Sequence, residues 1–64
     1  MRLAERRKAM GMTQVELAKA AGVDQGAISN YENGGYKPKY AVAKRLAEVF
    51  GCTVGEIMDG FEEK

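Results

Sequence analysis

Gln25, Ser29 and Asn30 carry amide and hydroxyl groups within six residues of one another, flanked by a glycine at Gly26. In a helix over 25–33, Ile28 and Tyr31 turn inward, leaving Gln25, Gly26, Ser29 and Asn30 on the outward or flanking face. A primary amide presents a donor beside an acceptor, the pattern that meets N6 and N7 of adenine in the major groove. Each good pair of this kind discriminates by about 1–3 kcal/mol. A serine hydroxyl can address several bases or a phosphate and so specifies little, while a glycine lets the backbone come close. The plainer alternative for Gln25 and Asn30 is ordinary polar surface.

Little else in the chain could do chemistry. There is no histidine and only one cysteine, so no metal-ligand spacing and no nucleophile beside an imidazole can be assembled. No glycine-rich loop is built to cradle phosphates, and the carboxylates are scattered as caps and surface charges. An enzyme, a metal and a cofactor are therefore not expected. Cys52 could be a thiol sensor, but it precedes a helix start where an apolar side chain packs, which reads as a structural cysteine.

The amide-bearing helix must be held by others. Thr13 and Glu16 have the spacing of a capping box, so a helix begins there. Leu17, Ala18 and Ala21 form its apolar stripe, and Gly22 can take the left-handed conformation that ends it. Asp24 is the next N-cap, and Asn33-Gly34 closes the helix that follows. Ala18 is small where these two helices must approach closely. Met12 with Leu17, Val23 with Ile28, and Cys52 with Ile57 repeat a hydrophobic staple at three helix starts, and Thr53 with Glu56 repeats the capping box.

The pattern predicts five helices, near 2–10, 14–21, 25–33, 39–50 and 54–59, and no strand. Glycines at 11, 22, 34, 51 and 60 fall at helix ends in this scheme. The fourth helix sets Tyr40, Ala43, Leu46, Ala47 and Phe50 on one side, with Val42 and Val49 widening the stripe, and is expected to be the most buried. The fold class is all-α: a compact bundle of five short helices containing a helix-turn-helix, in one domain over 1–64.

A net charge of +1 conceals a division along the chain. Residues 1–45 carry nine basic and four acidic side chains, a balance of +5, and residues 46–64 carry one basic and five acidic, a balance of −4. The first segment is the one suited to a polyanion. Arg2, Arg6, Arg7 and Lys8 either contribute to that surface or simply solvate the first helix. With one cysteine, no apolar run of membrane-spanning length and no signal-peptide pattern, a reducing cytoplasm is the expected compartment.

These motifs together resemble the Cro and phage-repressor type of helix-turn-helix domain, the xenobiotic-response-element class. The likeness runs through Gly11-Met12-Thr13-Gln14, Glu16-Leu17-Ala18, Gly22-Val23, Ile28, Glu32-Asn33-Gly34, Lys37-Pro38, Leu46-Ala47, Phe50-Gly51 and Glu56-Ile57, nearly the whole chain. The resemblance implies a sequence-specific regulator of transcription, most simply a repressor, reading double-stranded DNA with the helix at 25–33. It implies that Gln14, at a helix N-terminus with Thr13, clamps a phosphate and supports Gln25, and that Asn33, Lys37 and Lys39 contact the DNA backbone on the other flank. Arg7 and Glu32 match positions that form a structural ion pair.

Domains of this class bind two-fold symmetric operators as homodimers, with recognition helices about 34 Å apart. Met58 and Phe61 in the acidic carboxyl-terminal part are candidates for a self-complementary patch; packing of Phe61 onto the chain's own core is the alternative. A second class of function, a protein-interaction module such as an antitoxin-like partner, could use the same fold. Asp24 departs from the pattern, standing where serine or threonine is common, and a carboxylate near phosphates is mildly repulsive.

Overall fold

A computed structural model describes residues 3–62 of the chain. Five helices follow one another: α1 (Leu3–Ala9), α2 (Gln14–Ala21), α3 (Gln25–Glu32), α4 (Tyr40–Phe50) and α5 (Val54–Glu62). There is no strand among the described residues. Arg2, assigned above to the first helix, lies outside them.

The helix starts follow from local chemistry. At α2 the Thr13 Oγ1 accepts the Glu16 N–H at 3.1 Å while the Glu16 Oε1 accepts the Thr13 N–H at 2.8 Å. The same reciprocal pair recurs before α5, at 3.1 and 3.0 Å between Thr53 and Glu56. Two of the orphan donors at each helix start are satisfied in this way. Asp24 holds the N-cap position of α3, but its side chain makes no capping bond.

Gly22 ends α2 with φ 72° and ψ 32°, and Val23 N–H donates to Ala18 O at 2.9 Å to close the turn. A side chain there would strain the backbone, and its Cβ would lie 2.5 Å from Arg45 Nη1. That guanidinium reaches over from α4 and donates to Ala21 O at 3.5 Å.

α2 and α4 each contribute three buried residues and Ile28 of α3 packs with them, so α4 is not more buried than α2. Leu17, Ile28 and Leu46 are the largest fully buried side chains, each worth about 1.5–3 kcal/mol on leaving water. Ala18, Ala21, Ala43 and Ala47 fill the space between them. Small residues let the helix backbones come close, leaving α3 free along its other face. Met12, Val23 and Cys52, the residues ahead of three helix starts, are half-buried against this core.

Two further expectations are corrected. Tyr40 is 69% exposed rather than part of the inward stripe: as the first residue of α4 it lies a turn short of the core, and the buried row begins at Ala43. Gly60 lies inside α5 rather than beyond its end. Met58 and Phe61, three residues apart, carry the helical spacing across it, and the Phe61 ring meets Tyr31 edge-to-face, centroids 6.2 Å apart. Packing therefore overrides the low helix propensity of a glycine.

Candidate nucleic-acid interface

The turn at Gly22 sets α3 against α2 with Ile28 buried and one long face open. Gln25, Gly26 and Asn30 are exposed on that face and Ser29 is half-buried. Nothing lies within 4 Å of the position a Cβ would take at Gly26, so the backbone there is open to close approach. Asn33, the C-cap of α3, donates from its amide to the Ser29 hydroxyl at 3.4 Å.

Around this face stand the other candidates. Thr13 is exposed, with its hydroxyl already accepting the Glu16 N–H, and Gln14 is half-buried as the first residue of α2. Lys37 and Lys39 are exposed on the loop after α3, on either side of buried Pro38, and Lys39 is the N-cap of α4. A shallow groove of about 480 Å³ runs between α3 and this loop, edged by Gly26, Ala27, Asn30, Tyr36 and Val42. Tyr36, not singled out from the sequence, is 64% exposed at its rim. Met58 and Phe61 are both half-buried against the core, and Phe61 lines a hollow together with Tyr31, Tyr36 and Lys37.

A chain of hydrogen bonds joins three helices beneath the face. Arg7 Nε meets Glu32 Oε2 at 2.7 Å and Arg7 Nη2 meets Glu32 Oε1 at 3.2 Å, a bidentate pair whose side chains are only 12% and 7% exposed. Arg7 Nη1 also donates to Met12 O at 2.9 Å, tying the α1–α2 turn to the end of α3. Gln14 Nε2 donates to Glu32 Oε1 at 3.0 Å, and Gln25 Nε2 donates to Gln14 Oε1 at 3.2 Å. The bond between Gln14 and Glu32 gave no sign in the sequence, because 18 residues and a turn separate them.

Electrostatics follow from these contacts. Burial opposes ionisation of Glu32, but the hydrogen bonds from Arg7 and Gln14 and the charges of Arg7 and Lys8 outweigh it and hold the carboxyl below its usual range. The hydrogen bond to Glu32 raises Arg7, against burial and together with the charge of Glu32. Glu56, accepting the Thr53 backbone N–H, is likewise lowered.

An exposed amide-bearing helix held across a glycine turn, with flanking lysines, is the arrangement of a helix-turn-helix protein. Residues 3–57 match the helix-turn-helix family, and the chain belongs to it, as one of the Cro and phage-repressor type. An uncharacterised HTH-type transcriptional regulator of Archaeoglobus fulgidus is 39% identical over 56 residues, 88% of this chain and 80% of that protein. Another, from Methanothermobacter thermautotrophicus, is 43% identical over 47 residues, 73% of this chain and 68% of its own length. The competence pilus inhibition repressor of Acinetobacter baylyi is 43% identical over 53 residues, 80% of this chain but 46% of that protein.

No solved structure matches the chain significantly. Membership in this family implies DNA binding and transcription regulation rather than catalysis. Among the described residues no helix is long and apolar enough to cross a membrane.

Proposed function

We propose that this chain is a transcriptional repressor that acts in the cytoplasm and binds a two-fold symmetric operator as a homodimer. α3 lies in the major groove, Gln25 and Asn30 pair with base edges, and Gly26 and Ser29 come close without dictating much sequence. Thr13 and Gln14 at the start of α2 take one phosphate; Asn33, Lys37 and Lys39 take the backbone on the other flank. The observation that carries this reading is the exposure of both amides on α3, beside two exposed lysines, while Ile28 of the same helix is fully buried. The repressor role is supported by one relative whose name says it represses.

Size favours two copies. The body measures 26 × 23 × 21 Å and carries one α3, whereas half-sites one turn apart are separated by about 34 Å. Met58 and the remaining exposed part of Phe61 are the patch we assign to the partner copy. The test is selection of bound sites from random duplexes, repeated with Gln25→Ala and Asn30→Ala. Loss of one base preference in each variant is expected; unchanged preferences in both would remove the assignment of the readers. Sedimentation with and without the selected duplex tests the pairing, and a single chain per duplex would refute the two-fold arrangement.

A further inference from the structure

The geometry points to Glu32 as a positioning residue that, through Gln14, fixes which way the Gln25 amide faces and so sets adenine over guanine at the base that Gln25 reads. This rests on the reading of Gln25 as a base contact. It adds a role for an ion pair that otherwise looks purely structural.

The inference follows from donor and acceptor counting. An ionised carboxylate only accepts, so the atom of Gln14 that meets Glu32 Oε1 at 3.0 Å must be its Nε2. The other end of that amide, Oε1, is thereby turned to Gln25 and can only accept. Gln25 must therefore offer an N–H to it, as it does at 3.2 Å. What remains for a base is the Gln25 carbonyl oxygen and one N–H, a single acceptor beside a single donor. Adenine presents the complement, a donor at N6 and an acceptor at N7; guanine presents two acceptors, N7 and O6, which that set cannot both satisfy.

Removing the first link frees the last. In Glu32→Ala nothing at residue 32 accepts from Gln14, which in the wild type donates to the same oxygen that Arg7 Nη2 meets at 3.2 Å. The Gln14 amide can then present either end to Gln25, and Gln25 can donate or accept. Whenever Gln25 accepts, both its N–H groups point at the groove, the arrangement that suits guanine. A residue that only held α1 to α3 would weaken binding to every duplex alike and leave the ratio at one position untouched.

The experiment is selection from random duplexes, followed by measured affinities for duplexes differing only at the position whose preference Gln25→Ala abolishes. Wild type is expected to favour adenine there, and Glu32→Ala to lower the adenine-to-guanine ratio by about tenfold, with the preference assigned to Asn30 unchanged. Gln14→Leu cuts the same link while sparing the ion pair, and is expected to lower that ratio in a protein whose unfolding midpoint stays close to wild type. An unchanged ratio in both variants overturns the proposal while leaving Gln25 as a reader. No effect of Gln25→Ala at any position overturns the reading itself, and the proposal with it.

Discussion

Arg7 and Glu32 show how a pair of charges is held when it has almost left water. Both carboxylate oxygens are engaged, and the guanidinium has a backbone carbonyl besides, so neither partner could be removed without stranding the other. Arg7→Met or Glu32→Gln is expected to cost about 3 kcal/mol, read as a lower urea midpoint; midpoints within error of wild type would show the pair to be idle. Because Glu32 titrates lower folded than unfolded, its contribution is whole above the ordinary glutamate range and is lost as pH falls through the folded value. Acid unfolding of Glu32→Gln should accordingly be shallower than that of wild type, part of the limb remaining with Glu56, which is also lowered. The likeness of the sequence to its family reached as far as the pairing of Arg7 with Glu32 and the support of Gln25 by Gln14, and both contacts are formed. It could not reveal that Gln14 also reaches Glu32, because 18 residues and a turn separate the two and nothing local brings them together.

At the scale of helices, caps and turns were legible because they are local. Thr13 with Glu16, Thr53 with Glu56 and Gly22 each satisfy backbone groups a few residues away, and these contacts are formed. Asp24 stands at the N-cap of α3 as its type and place indicate, although its side chain does not turn toward the helix, which composition cannot show. Tyr40 and Gly60 differ from the expected pattern for another reason: how far a stripe or a helix extends depends on what packs against it. Thr13→Ala should therefore cost about 1 kcal/mol, whereas Asp24→Ser should not destabilise the fold and should tighten duplex binding by removing an anion close to the phosphates. Gly22→Ala is expected to lose about 1–2 kcal/mol from the left-handed turn. Thermal unfolding and duplex titrations of the three variants check these outcomes.

For the molecule as a whole, charge and size do what no single element does. The basic excess falls in the part of the chain that contains α3 and its flanks, and the acidic excess in the part that contains α5. Lys37→Ala and Lys39→Ala are each expected to reduce the slope of log affinity against log salt by about one per chain without altering base preference. A slope identical to wild type would take either lysine off the backbone. Fold class and the order of the helices were readable from spacing, whereas the pairing of copies depends on a surface whose partner the chain does not spell out.

Gly60 sits one residue before Phe61 in the closing turn of α5, where a residue lacking a side chain costs about 1 kcal/mol of helix. That turn is consequently the part of α5 whose amide protons should trade with solvent deuterium soonest. Should two copies meet there, the exchange would slow as the protein is concentrated, and a turn that serves one chain alone would show the same exchange rate at every dilution.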